Sequence, residues 1–475
     1  MTMKNPHPDI LPHRSASGPG YRWTICALIF AATTVNYLDR NVLGLLKPVL
    51  SAAGVFGADK AVQELNYSTV VICFQVAYAV GMLFVGKFID AVGTKSGYAW
   101  SLFGWSLAAI GHAFGHHTWS FGMWRAALGV TESGNFPAAN KAVAEWFPKK
   151  ERALATGLYN SGANVGAIVA PLTVPFIAAA WGWEWAFIIT GAVGFTWLAF
   201  WYAIYASPAE KLQRGELSRQ EFDYIHSDAD EQQTERANEK VSWFRLLTFR
   251  QTWAFCAGKF LTDPVWWFYL FWLPSFLAGE NSRKVAAYMA AHPGYAGAPD
   301  MIPGVISWPF AVAIVYTVST FGSIFGGWLP KRFINSGMDA NKARKLAMFL
   351  FALLPLTVLL ASWLGTINTW FAVATIAIAC AAHQAWSANI FTTVSDMFPK
   401  KAVASVTGIG GMAGAVGGIL IARAAGVLLK HYTELDKVEV GYGILFMICG
   451  SAYLVAWTIM QLLVPKFKQI QLEGA

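Results

Sequence analysis

RAALGVTESGNFPAANKAVAEWFPKKER, residues 125–152, decides the fold. Arg125 and Glu132 lie seven residues apart, so they share one face of a helix whose other residues are apolar or small. The stretch closes on Phe147-Pro148-Lys149-Lys150, and the same four residues return as Phe398-Pro399-Lys400-Lys401. Each copy is followed at the same distance by a glycine, Gly157 and Gly408. The shared offset pairs Glu145 with Asp396, Thr156 with Thr407, Gly166 with Gly417 and Ile168 with Ile419. It also pairs Glu132 with His383.

The chain around this repeat has 475 residues, 56% hydrophobic and 13% charged, where soluble domains carry about 25% charged residues. Apolar runs of roughly 20 residues recur along its length, each long enough to cross a hydrocarbon core of about 30 Å. They read as twelve transmembrane helices of an all-α polytopic membrane protein. The repeated segments are spans four and five, then ten and eleven, so two six-helix halves repeat in parallel. The boundaries expected are a tail over 1–22, a first half over 23–206, a linker over 207–249, a second half over 250–464 and a tail over 465–475. Residues 279–306, with Pro293, Pro299 and Pro303, read as an irregular loop on the other side of the membrane. Two parallel six-helix repeats are the plan of a major-facilitator carrier, which binds its substrate midway between them.

Basic residues set the orientation. Outside the spans, only Lys47, Lys60, Arg283, Lys284, Lys430 and Lys437 fall on the side opposite the termini. Both termini are therefore expected in the cytoplasm, with the chain multi-pass in the inner (plasma) membrane. The net charge of +8 then reflects topology, with no nucleic-acid partner. Cys26, Cys73, Cys256, Cys380 and Cys449 all sit in apolar segments without metal-ligand spacing and read as packing residues. The polar first residues lack the pattern of a cleaved signal, so the first span is expected to remain as an anchor.

Arg40, Arg125, Lys259, Asp39, Glu132 and Asp263 fall inside spans. Unpaired and facing lipid, they would together cost on the order of 15–20 kcal/mol, so they must face one another, water or a ligand. Simple pairing joins Arg125 with Glu132 and Lys259 with Asp263. In span one, Asn36, Tyr37 and Arg40 share a face, and arginine is suited to gripping a carboxylate with two N–H groups. Tyr37 would add a hydrogen bond and Asp39 a titratable neighbour, unless Asp39 only neutralises Arg40. Glu132, midway along span four, is the expected proton carrier, its protonation answering to Arg125. Lys259 is the expected second anion contact. Pro264 predicts a bend after Asp263, and one or two residues of the aromatic block Trp266–Trp272 are expected to stack on a sugar ring. Asn160 and Asn164 in span five, and His383, Gln384 and Ser387 in span ten, offer hydrogen bonds to hydroxyls or to neighbouring helices. Lys141 and Arg423 are expected to snorkel and are assigned to no site. The glycines of spans five and eleven read as close-packing positions.

Gly86-Lys87-Phe88-Ile89-Asp90-Ala91-Val92-Gly93-Thr94-Lys95, between spans two and three, resembles the signature loop of the major facilitator superfamily. Gly326-Gly327 to Lys331-Arg332 is a degenerate second copy. The resemblance implies a cytoplasmic gating role for Asp90 and Lys95. Asn36-Tyr37-Leu38-Asp39-Arg40 and Glu132-Ser133-Gly134-Asn135-Phe136-Pro137 look like the anion:cation symporter family within that superfamily. Span seven and His383-Gln384-Ala385-Trp386-Ser387-Ala388-Asn389 look most like hexuronate transporters, which adds Trp386 to the substrate contacts. The family's pattern implies substrate binding by Arg40 and proton carriage by Asp39 and Glu132, with Arg125 beside them. Galactonate carriers place a polar amide where this chain has the glycine-rich run Gly408 to Gly418, which argues against an aldonate held in that way.

The expected function is proton-coupled import of a sugar-acid anion, glucuronate or galacturonate, by alternating access. The coupling ion is H+, with no metal and no cofactor, and the working unit in the bilayer is a monomer. Rival readings are a carrier of another organic anion (an aldonate, a dicarboxylate or an aromatic acid) and a non-transporting membrane sensor. A hydrolase built on Ser387 and His383 lacks an orienting acid and an oxyanion motif, so an enzyme is not expected.

Overall fold

The repeated Phe-Pro marks a helix break in each half. Phe147 and Phe398 end their helices in extended conformation, and Pro148 and Pro399 stand as N-caps of the next ones, because the residue before a proline is driven out of the helical region. Gly93 and Gly182, at φ 83° and 99°, make two other breaks that only glycine adopts readily. Asp59 caps the helix that follows it, accepting from the N–H groups of Ala61 and Val62.

The computed structural model describes residues 20–227, 243–468 and 470. In chain order the helices are α1 (Tyr21–Ala52), α2 (Lys60–Val92), α3 (Thr94–Gly111), α4 (Thr118–Glu132), α5 (Asn135–Trp146), α6 (Lys149–Trp181) and α7 (Trp183–Ile204). The short α8 (Pro208–Gln213), α9 (Arg219–Ile225) and α10 (Trp243–Leu246) follow. The second half holds α11 (Arg250–Ala291), α12 (Trp308–Asn335), α13 (Ala340–Leu353), α14 (Ala361–Ile367), α15 (Thr369–Met397), α16 (Lys400–Glu434) and α17 (Val438–Leu463). Among the described residues these make twelve crossings, with α4–α5 sharing the fourth and α13–α14 the ninth. Eight segments meet the length and hydropathy expected of a span on their own. Of the rest, α1, α4 and α11 carry buried charges, α3 is short and α4–α5 is interrupted.

The halves repeat in packing as they do in sequence. Gly166 of α6 lies so close to α1 that a Cβ there would overlap the Thr34 carbonyl. Its repeat mate Gly417 of α16 lies in the same way against the Phe260 carbonyl of α11. Thr34 and Phe260 are thus equivalent positions, and three residues further along Tyr37 is equivalent to Asp263. The same register makes Gly44 equivalent to Leu270, and these two meet: a Cβ on Gly44 would stand 2.9 Å from the Leu270 carbonyl oxygen. α1 and α11 therefore cross near the molecule's pseudo-twofold axis, on the face away from the chain ends. There the Tyr67 hydroxyl donates to the Phe271 carbonyl at 2.7 Å, and Lys47 pairs with Glu64 at 2.6 Å.

Two expectations are corrected. The connection after span seven is not irregular from residue 279: α11 runs on to Ala291, because its last turns hold no proline and Glu280 pairs with Arg283 one turn on. This one helix includes both Pro264 and Pro274. Span four is two helices, broken at Ser133-Gly134, where Gly134 packs against Ser101 of α3.

Candidate functional site

A cavity of about 420 Å³ lies between the halves. From the first half it receives Tyr37 of α1 and Gly157, Asn160, Ser161 and Asn164 of α6. From the second it receives Lys259, Asp263, Trp266 and Trp267 of α11, Ser323 of α12, and His383, Gln384 and Ser387 of α15. Seven of the expected contact residues thus line one cavity: Tyr37, Lys259, Asn160, Asn164, His383, Gln384 and Ser387. Of the aromatic block, Trp266 and Trp267 line the cavity. Ser323 is an addition; nothing in its span distinguishes it from the other small residues of Thr320–Gly327.

Two expected contacts stand elsewhere. Trp386 is fully buried and packs edge-on to Tyr453 of α17, since it projects from α15 off the face that carries His383 and Ser387. Arg40 is 2% exposed and sits one layer behind the wall. Its guanidinium lies 4.8 Å from the ring centre of Tyr37 and 5.6 Å from that of Trp267, both wall residues, with Tyr78 and Phe74 at 5.0 and 5.2 Å. Four rings hold it by their negative faces.

The buried charges pair differently from the simplest expectation. Arg40, not Arg125, binds Glu132: Nε and Nη2 donate to the same Oε2 at 2.9 and 2.8 Å. Nη2 also donates to Asn36 Oδ1 at 3.3 Å. Arg125 instead donates through Nη2 to the Arg40 carbonyl at 3.0 Å, with its Nε and Nη1 buried and without a partner. Seven-residue spacing puts Arg125 and Glu132 on one face of α4, but Arg40 of α1 reaches both, binding Glu132 through its guanidinium and Arg125 through its carbonyl. Asp39 does not neutralise Arg40. It is buried, and neither of its oxygens has a partner at hydrogen-bonding distance. Glu132 Oε1 is likewise unpartnered. The cluster is balanced, two arginines against two carboxylates, yet half of its hydrogen-bonding capacity is unmet, a costly state for buried ionised groups.

On the opposite wall Lys259 and Asp263 pair at 2.7 Å, as expected, and Lys259 Nζ also stands 4.5 Å over the Phe391 ring. His383 stacks on Trp266 at 5.2 Å, its Nδ1 2.6 Å from the Tyr453 hydroxyl. Asn389 hydrogen-bonds to the Gly326 carbonyl of α12 at 2.7 Å, a contact between helices.

At the end of α2 on the face of the chain ends, Asp90 pairs with Lys141 at 2.8 Å. Lys141 therefore has a partner and does not merely snorkel. Lys95 turns away to the Tyr202 carbonyl at 3.2 Å. The repeat mates Glu145 and Asp396 both serve this face. Glu145 accepts from Thr94 and Tyr205 at 2.5 and 2.6 Å, and Asp396 pairs with Arg344. Arg423 lies exposed on α16 among the apolar residues Val416, Leu420 and Val427.

With this geometry in place, the relatives can be compared. The hexuronate transporter of Escherichia coli (strain K12) is 29% identical over 456 residues, covering 93% of this chain and 94% of that protein. The galacturonate transporter of Dickeya chrysanthemi is 29% identical over 370 residues, covering 77% of this chain and 96% of that protein. The xylose transporter XylE from E. coli, solved in its inward open conformation, shares the fold with a TM-score of 0.68 at 13% identity, over 94% of this chain and 97% of that one. These likenesses agree with a transporter, not an enzyme, and with a multi-pass helical membrane protein. The family model for the Major Facilitator Superfamily matches residues 29–422, and the chain belongs to that superfamily.

Proposed function

We propose that this transporter imports a hexuronate, glucuronate or galacturonate, together with protons, by alternating access. The names of its relatives support a sugar acid. So does a cavity whose walls carry two asparagines, a glutamine and three serines for hydroxyl groups, with two indoles for a sugar ring. The observation that carries the coupling is the Arg40–Glu132 pair, set directly behind Tyr37 and Trp267.

A substrate carboxylate that enters between these rings competes with Glu132 for the Arg40 guanidinium. Glu132, once released into a water-poor site, binds a proton rather than remain a bare anion. The added negative charge of the substrate is then compensated, and the loaded carrier reorients. On the other side Glu132 loses its proton, takes Arg40 back and expels the carboxylate. Asp39 is the second candidate proton carrier, and Arg125 holds the Arg40 backbone in place. The Lys/Arg distribution puts the face with the chain ends in the cytoplasm, with Asp90 and Lys95 acting at its gate. The coupling ion is H+, no further cofactor takes part, and a monomer suffices.

The test is uptake of labelled glucuronate into proteoliposomes under an imposed pH gradient, with a panel of competing acids. Glu132→Gln should keep exchange of substrate at equal pH and lose gradient-driven accumulation. Normal accumulation by that variant would refute the assignment, and a panel dominated by another acid would replace the substrate.

A further inference from the structure

We propose that Asp263 is a charge filter that limits the ligand to one carboxylate. The inference rests on the sugar-acid reading and concerns the same cavity. Among the described residues lining it, Asp263 is the single carboxylate and Lys259 the single lysine or arginine. They form one ion pair, and the pair is turned so that the acid is the more open member: its side chain is 22% exposed against 8% for Lys259. Lys259 lies behind, against the Phe391 ring. The wall therefore presents the negative end of this pair, with its cation set behind.

The position of this carboxylate is built into the packing. Asp263 lies against the backbone of Gly414 on α16, and a Cβ at 414 would overlap its Oδ2. Lys259, one turn earlier on α11, holds the other side. The equivalent position on α1 is Tyr37, a neutral phenol, so only the α11 wall turns a carboxylate to the cavity. A monoanion settles with its carboxylate toward the Arg40 side and its hydroxyls toward α11 and α15. A six-carbon diacid in the same orientation brings its second carboxylate to within about 6–8 Å of Asp263. At an effective dielectric near 20, and with Lys259 at 2.7 Å from Asp263 offsetting most of it, that repulsion corresponds to roughly a 3- to 10-fold loss of affinity. Neutralising Asp263 removes the repulsion and also frees Lys259 to receive the second carboxylate. Specificity then comes from a repulsive element as much as from attractive ones.

The experiment measures binding to the purified full-length carrier at one pH, by quenching of tryptophan fluorescence. The ligands are glucuronate and glucarate, the latter being glucuronate with its C1 aldehyde oxidised to a second carboxylate. Wild-type protein should prefer glucuronate by at least about threefold. Asp263→Asn should abolish or invert the preference, and Asp263→Glu, which keeps the charge, should retain it. An unchanged ratio in Asp263→Asn, with glucuronate still bound, overturns the filter and leaves the sugar-acid reading standing. Wild-type protein that binds neither acid overturns both.

Discussion

Arg40 engages Glu132 through two nitrogens on one oxygen, reaches Asn36 with the second of them, and is enclosed by four aromatic rings. A lysine keeps the charge and loses most of this. Its ammonium is a compact, strongly hydrated point charge that neither forks onto a carboxylate nor spreads over ring faces as a guanidinium does. Arg40→Lys is therefore expected to yield a folded protein, since Glu132 still has a cation nearby, with glucuronate uptake at least about tenfold lower. Initial rates normalised to monodisperse protein decide this, and wild-type rates would remove Arg40 from the substrate path. The residues of this cluster were legible in the sequence because a charge in an apolar span is conspicuous. Their partners were not. Helical periodicity relates residues of one helix, as it relates Arg125 to Glu132, whereas the observed pair joins α1 to α4. Trp386 fails for a related reason: a motif names neighbours along the chain, and on α15 the neighbours of His383 divide between the cavity and the core.

At the scale of elements, small residues set how closely helices approach. Gly417 admits the Phe260 carbonyl, while Gly411, two turns earlier on the same helix, has nothing within 4 Å of the position its Cβ would take. Gly417→Val should force α16 from α11 at a cost of about 1–3 kcal/mol or more. It is expected to show as a lower thermal midpoint in detergent and reduced transport, with Gly411→Ala within about 0.5 kcal/mol of wild type. Equal stability of the two variants would show that α16 can slide to relieve the overlap. The glycine-rich run was recognisable as a packing surface, but its individual glycines were not ranked, since their distances to α11 are tertiary facts. Phe-Pro was readable as a break because proline acts on its immediate predecessor. The last turns of α11 were missed because the prolines and glycines of the following loop coloured the whole stretch, although none lies between Glu280 and Ala291.

For the whole molecule, the cavity is shut on one side where equivalent residues of the two halves meet. Gly44 touches Leu270 and Phe271, and Tyr67 donates to the Phe271 carbonyl from α2. A carrier that alternates must break these contacts each cycle, so their strength helps set the balance between its two open states. The parallel repeat foretold two such halves, yet which face is closed depends on contacts between them that leave no periodic trace. Gly44→Val places methyl groups into a space where even a Cβ stands 2.9 Å from the Leu270 oxygen and 3.3 Å from the Phe271 Cα. Tyr67→Phe deletes one hydrogen bond worth about 1 kcal/mol net. The first should wedge the closed face apart, and the second should shift the equilibrium about fivefold in the same direction. Ser387→Cys on the cavity wall reports the change through its labelling by a membrane-impermeant thiol reagent applied to the face opposite the chain ends. Labelling should rise in Tyr67→Phe and rise further in Gly44→Val, with the added substitution tested against a background free of reactive native cysteines. If neither variant changes it, closure does not depend on the α1–α11 crossing, and the longer contact of α2 with α16 through Ser68 and Gly426 becomes the seal to test.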